Sequence, residues 1–153
     1  MLRHSAGTYA GSSWAFFGVT NRNLFAESEP GMGRAFVDAI HSLARDTYLT
    51  SLVSELGCYR QGERVKLLAN VFNGGRRSRD VRLTVSIYEG EPPQLEAEPV
   101  GKPRAELTAS LMVPTGKAQP VALDWKPGTF SADFYYLIGQ LWDGDKEVDR
   151  IES

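Results

Sequence analysis

A single cysteine, Cys58, excludes any intramolecular disulfide in this 153-residue chain, so burial alone must hold the fold together. The length is sufficient for a real core without staples. Two histidines and one cysteine are too few for a zinc site of the Cys/His type. A net charge of −2 gives no whole-chain field to draw in nucleic acid or an anionic membrane, so neither is an expected partner. No apolar run approaches the roughly 20 residues of a membrane span, so no membrane insertion is expected. The start, Met1-Leu2-Arg3-His4-Ser5-Ala6-Gly7, has no apolar h-region, and no signal peptide is expected. The compartment stays open: extracellular or periplasmic if the chain belongs to a larger exported protein.

Chemical motifs are equally sparse. Gly11-Ser12-Ser13-Trp14-Ala15 breaks the nucleophile-elbow pattern. Gly31-Met32-Gly33 precedes a helical pattern but lacks the third glycine of a phosphate loop, since Phe36 stands there. Asp143-Gly144-Asp145-Lys146-Glu147-Val148-Asp149 begins like a calcium loop, yet Val148 occupies the position that needs glycine; it reads as a solvated hairpin turn. Cys58 with His4 or His41 is the one candidate nucleophile and base. A buried structural thiol is the stronger expectation for Cys58, beside Leu56 and Tyr59. Arg76, Arg77 and Arg79 form a basic cluster without interleaved aromatics, which fits solvation and edge protection. No catalytic residue, metal or cofactor is assigned, and the chain is expected not to be an enzyme.

What the chain does have is a repeated period of two. In Val65-Leu67-Ala69-Val71, Val81-Leu83-Val85-Ile87, Leu107-Ala109-Leu111-Val113 and Val121-Leu123-Trp125 an apolar residue returns at every second position. Turn signals separate them: Gln61-Gly62, Asn73-Gly74-Gly75, Pro114-Thr115-Gly116, Lys126-Pro127-Gly128 and Asp143-Gly144. The pattern predicts strands over 63–72, 80–88, 105–113, 119–126, 132–142 and 146–152, with an irregular proline-rich loop from Glu89 to Pro103. A further strand is expected over Tyr48–Val53, where Thr47, Tyr48, Thr50 and Val53 favour extended backbone. Upstream, Met32, Phe36, Ile40 and Leu43 share one face of a helix placed at 31–46. Trp14 to Val19 reads as a short buried strand. The fold class is therefore mainly β: an immunoglobulin-like antiparallel β-sandwich over 47–153, with an N-terminal α-helical extension in 1–46.

One strand breaks the alternation. Tyr135, Leu137, Gly139 and Leu141 form one face of the segment 134–142, while Phe134, Tyr136, Ile138 and Trp142 form the other, interrupted by Gln140. A free-standing sandwich shows a polar outer face here. Phe134, Tyr136, Ile138 and Trp142 are thus the candidate interface, packing against something outside the sandwich. The N-terminal segment is the nearest candidate, and a ligand or partner protein is the alternative.

Tyr59-Arg60-Gln61-Gly62-Glu63-Arg64-Val65 resembles the Y-x-x-G-E-x-V opening of bacterial immunoglobulin-like modules of the cell-adhesion-related type. Val71-Phe72-Asn73-Gly74-Gly75 is similar to their V-x-N-x-G strand and turn, and Tyr135-Tyr136-Leu137 through Asp143-Gly144 is similar to their closing Y-x-L…D-G hairpin. The resemblance covers 48–152. It implies an accessory sandwich of the kind that trails secreted glycosidases and gingipain-type peptidases, spacing, stabilising or anchoring a catalytic domain. Ser12 to Gly18 and Gly33 to Ile40 resemble the end of a caspase-like peptidase domain, but no His-Gly or Ala-Cys motif is present, so no catalytic residue carries over. The leading expectation is a non-catalytic accessory or interaction module of a larger, exported bacterial hydrolase, its partner being the upstream catalytic domain or another protein. The alternatives are the C-terminal remnant of a caspase-like peptidase or glycosidase, and a carbohydrate-binding module that offers Trp142 and Tyr136 to a glycan.

Overall fold

A computed structural model of the chain describes residues 2–3, 13–16, 30–91 and 101–153. Two short strands, β1 (Leu2–Arg3) and β2 (Ser13–Trp14), pair antiparallel. Helix α1 (Pro30–Leu43) follows, and then seven strands: β3 (Thr47–Ser54), β4 (Val65–Asn73), β5 (Arg79–Glu89), β6 (Ala105–Val113), β7 (Lys117–Trp125), β8 (Tyr135–Asp143) and β9 (Lys146–Glu152). They form a three-stranded sheet in the order β3-β4-β7 and a four-stranded sheet in the order β6-β5-β8-β9, every pairing antiparallel. The architecture is the expected mainly-β sandwich with a helical extension before it.

The alternation explains the core. Odd-numbered residues of β4, β5, β7 and β8 point inward, so Leu67, Ala69 and Val71 meet Leu83, Val85, Ile87 and Leu141 between the sheets. Gly139 is the inward residue of β8 without a side chain. A Cβ there would stand 2.9 Å from Leu52 Cδ2 and 3.2 Å from Ile151 Cγ2, so neighbouring side chains have taken that space. The predicted turns form as well: Gly62, Gly116 and Gly144 adopt φ of 80°, 65° and 61°, the left-handed region that glycine enters without strain.

Two polar side chains fasten the layers. Asn73, fully buried at the end of β4, donates from Nδ2 to the Arg77 and Val113 carbonyls at 2.8 and 2.9 Å. Its Oδ1 accepts from the Gly75 N–H at 2.9 Å. The asparagine of the V-x-N-x-G segment therefore organises the crossing from β4 to β5 and ties it to the end of β6. Asp149 on β9 is 4% exposed; it accepts from Arg45 at 2.7 Å and from the Leu49 N–H at 2.9 Å, closing the corner between the two sheets.

Several expectations need correction. The helix ends at Leu43 rather than at 46, because Arg45 and Asp46 are drawn into the sandwich by Asp149 and Arg79. On its apolar face, Phe36 and Leu43 are half-buried and Ile40 is 46% exposed; the Met32 side chain lies outside the described residues. Trp14 and Phe16 are 42% and 79% exposed, so the run starting at Trp14 is no buried strand over those residues, and 17–19 lie outside the described set. Strand β8 begins at Tyr135, not 132, because Gln61 captures the Phe130 backbone and Tyr135 captures that of Ser131 and Ala132.

Candidate binding site at the sandwich mouth

The outer face of the four-stranded sheet carries three of the four residues singled out from the sequence, Tyr136, Ile138 and Trp142. Its register sets Tyr136 beside Tyr88, Ile138 beside Ser86 and Trp142 beside Arg82. The four do not form one exposed patch. Tyr136 and Ile138 are 5% and 2% exposed, and Thr84 and Ser86 beside them are buried too. This burial arises within the single chain, so the middle of the face presents no free surface. Tyr136 stacks on Tyr88 with ring centroids 5.1 Å apart. Desolvation pushes its phenol above the ordinary tyrosine value, with Tyr88 and Glu152 adding to the shift. Phe134, 65% exposed, precedes β8 and lines the cavity at the mouth of the sandwich instead of this face. Trp142, half-buried beneath the Arg82 guanidinium at 5.8 Å, stands at the far end of the face. A flat Trp142–Tyr136 platform for a sugar ring is therefore absent.

A concave site that periodicity did not reveal lies at the mouth of the sandwich, where β4 and β8 begin and β3, β7 and β9 end. It encloses about 490 Å³ and is lined by Tyr59, Val65, Trp125, Phe130, Tyr135 and Leu137 among others. Three rings meet edge to face: Trp125 with Tyr135 at 5.2 Å, Trp125 with Phe130 at 5.8 Å, and Phe130 with Tyr135 at 5.9 Å. Strand parity explains Trp125 and Tyr135, which are inward residues of β7 and β8. Phe130 arrives from the loop between those strands.

Side chains of the surrounding loops fix this shape. Gln61 clamps Phe130 from both sides, its Nε2 donating to the carbonyl at 3.0 Å and its Oε1 accepting from the N–H at 2.8 Å. The Tyr135 phenol oxygen accepts from the Ser131 and Ala132 N–H groups at 2.8 and 3.1 Å. Ser131 Oγ in turn donates to Glu89. Burial pushes the Tyr135 phenol up and the Glu89 carboxylate adds to this, but the hydrogen bonds from Ser131 and Ala132 outweigh both and hold it below the ordinary tyrosine value. On the other rim, Tyr59 Oη accepts the Leu56 N–H at 3.0 Å. The result is a pre-formed aromatic recess with a polar rim, a shape suited to a flat amphipathic group.

Cys58 is also at this rim, and it is exposed rather than buried. The reason is local: 55–64 is a loop that leaves the sheet after β3, and β4 starts only at Val65. His4 and the His41 side chain lie outside the described residues, so the nucleophile–base pairing is not assembled among them. Among the described residues no group of three or more His, Cys, Asp or Glu side chains is placed to hold a metal ion. No described helix is long and apolar enough to cross a membrane.

No protein-family model matches the sequence, and no curated protein matches it. Solved structures do share the fold. The Bacteroides uniformis β-glucuronidase superposes with a TM-score of 0.52 and 12% identity over 70% of this chain and 14% of that chain. A β-glucuronidase from glycoside hydrolase family 2 does so with a TM-score of 0.52 and 13% identity over 71% of this chain and 12% of that chain. The sporulation control protein Spo0M of Bacillus subtilis matches with a TM-score of 0.50 and 14% identity over 71% of this chain and 47% of that chain. The match thus spans only 12% and 14% of the two glycosidases, and what this chain shares with all three proteins is a β-sandwich fold.

Proposed function

We propose that this chain is a non-catalytic accessory or interaction module of a larger, exported bacterial hydrolase, where it supports or anchors the catalytic domain. The observation that carries the reading is the partial match: in β-glucuronidases the fold corresponds to only 12% and 14% of the chain, the share of one added sandwich. In this reading residues 1–46 are the join to the catalytic domain and 47–153 are the module. Phe134, which precedes β8 at the sandwich mouth, and Trp142, on the outer face of β8, are the contact residues. The genomic sequence in frame upstream of the Met1 codon tests it. An open frame continuing into a hydrolase domain with a signal peptide is the expected result. A stop codon followed by a ribosome-binding site would overturn the fused arrangement.

The aromatic recess supports a second reading, a carbohydrate-binding module. The sugar would then sit at Trp125, Phe130 and Tyr135 instead of on Tyr136, because these rings line an open cavity while Tyr136 is covered. A glycan array probed with the whole chain, then with Phe130→Ala, separates the two. Signals lost in the variant support the sugar site, and uniformly blank spots refute it.

A further inference from the structure

The two sheets have four edge strands, and three of them are blocked. An exposed edge offers unpaired N–H and C=O groups to another strand, and proteins blunt such edges with charge, proline or cover. At β3, the buried Asp149 carboxylate accepts the outward N–H of Leu49. At β9, five of seven residues are charged: Lys146, Glu147, Asp149, Arg150 and Glu152. At β7 the device is Pro120. The Gly74 N–H bonds to the Asp46 carbonyl just beyond the Thr47↔Asn73 pair, so even residues of β4 face β3 and odd ones face β7. The β4–β7 register then turns the odd residues of β7 toward β4 and leaves Pro120 on the free edge, where its missing N–H costs no ladder bond.

Strand β6 has none of these. The Gly90 N–H bonds to the Phe134 carbonyl just beyond the Glu89↔Tyr135 pair, so even residues of β5 bond to β8 and odd ones bond to β6. Their partners on β6 are Ala105, Leu107, Ala109 and Leu111. The N–H and C=O groups of Glu106, Thr108, Ser110 and Met112 therefore point out of the sheet. Among the described residues no backbone bond reaches them. The strand contains no proline, and Glu106 is its single charge. Its core-facing side chains, Leu107 and Leu111 included, are only half-buried.

We propose that β6 is a self-association edge: two copies of this chain pair their β6 strands antiparallel about a two-fold axis at Ala109, joining the four-stranded sheets into one. The strand's own sequence argues for a second copy as the occupant. With Ala109 opposite Ala109 of the other copy, Thr108 pairs with Ser110 and Glu106 with Met112, and all four outward-pointing residues of each copy form hydrogen-bonded pairs. Leu107 falls opposite Leu111 on the half-buried face, which removes the exposed apolar stripe from water. No like charges face each other within β6.

Sedimentation equilibrium of the full chain tests this. The expected result is a dimer of about twice the 16.9 kDa chain mass at micromolar concentration. Thr108→Pro removes an outward N–H without touching the β5 ladder, and is expected to weaken dimerisation at least tenfold. Because proline can also disturb the strand, Thr108→Lys with Ser110→Lys gives an independent check: both sites are exposed, and the change sets lysines opposite each other in the dimer. Ala109→Cys in a Cys58→Ser background tests the register, since an added disulfide oxidant such as oxidised glutathione takes the two electrons and couples the two thiols at the axis into a covalent dimer. A wild-type chain that stays monomeric at 100-fold higher concentration overturns the proposal. So does a dimer that survives both edge variants, or an Ala109→Cys variant that fails to cross-link.

Discussion

Asn73→Ala should destabilise the chain more than any other single polar substitution in the sandwich. The side chain is fully buried and its hydrogen-bonding capacity is largely used. Truncation leaves the Val113 carbonyl, at a fully buried residue, without this donor. It also strips partners from the Arg77 carbonyl and the Gly75 N–H, which are partly buried, and from the Thr47 hydroxyl at 3.3 Å. A buried group left unpaired costs about 1–3 kcal/mol, and half-exposed ones cost less because water replaces the lost partner. The sum is about 3–5 kcal/mol, a large part of the roughly 5–15 kcal/mol that holds a domain folded. At about 2–4 °C per kcal/mol for a chain of this size, the midpoint should fall by about 10 °C. Equilibrium urea unfolding is the direct assay. Asn73→Asp supplies the diagnostic comparison. It keeps Oδ1 for Gly75 but turns a second oxygen toward the two carbonyls, which favours the protonated acid. A folded-state carboxyl value raised above the unfolded value of about 3.9 makes the native state bind more protons. The variant's deficit against wild type should therefore shrink as pH falls through the raised value toward 3.9. A loss below about 1 kcal/mol for Asn73→Ala, or an Asp variant whose deficit does not depend on pH, would refute the role assigned to this side chain.

Four further outcomes are expected. Asp149→Ala should cost about 2–4 kcal/mol in urea unfolding, because it leaves the Leu49 N–H without its acceptor and Arg45 without its partner, whereas Asp149→Asn keeps an acceptor and should lose less. Gly139→Ala should cost about 1–3 kcal/mol by overpacking Leu52 and Ile151, read as a lower thermal midpoint. Phe134→Ser should leave stability within about 0.5 kcal/mol, while Ile138→Ser lowers it by several, which separates the exposed residue before β8 from the buried outer face of the strand. Tyrosinate absorbance should show Tyr135 ionising below the ordinary tyrosine value and before Tyr136, and Ser131→Ala should move it back up. The depressed value contributes stability only above the unfolded tyrosine value of about 10; it is lost as pH falls through the folded value, so the substitution should leave neutral-pH stability unaffected by this linkage.

The strands were legible because each has to bury one face, and alternation states that requirement directly. Val81-Leu83-Val85-Ile87 is a strand in the sequence and a strand in the fold, with all four residues buried. Turns were legible where glycine is needed for positive φ, as at Gly116 and Gly144. The recess was not, because its walls meet across large separations. Gln61 holds Phe130, 69 residues away, and no local pattern encodes that encounter. Cys58 was misplaced for a related reason: its apolar neighbours Leu56 and Tyr59 suggest burial, but the loop after β3 carries it to the rim.

Departures from alternation fall into two kinds, and the structure separates them. Phe72 breaks the period at the end of β4 and packs on Tyr48, ring to ring at 5.5 Å, with both side chains 1% exposed. Tyr136 and Ile138 break it in β8 and are likewise covered. These outward apolar residues sit outside the inter-sheet core, and are buried within the chain all the same. Strand β6 keeps its alternation yet leaves its inward face half-exposed and its edge unpaired. A sequence that looks anomalous can thus mark a finished surface, and one that looks regular an unfinished one. Period two reports which face a side chain takes, but it does not report how deeply that face is covered or whether the strand's edge is paired. The unpaired edge and half-buried inward face of β6 are what single it out as the surface still to be covered.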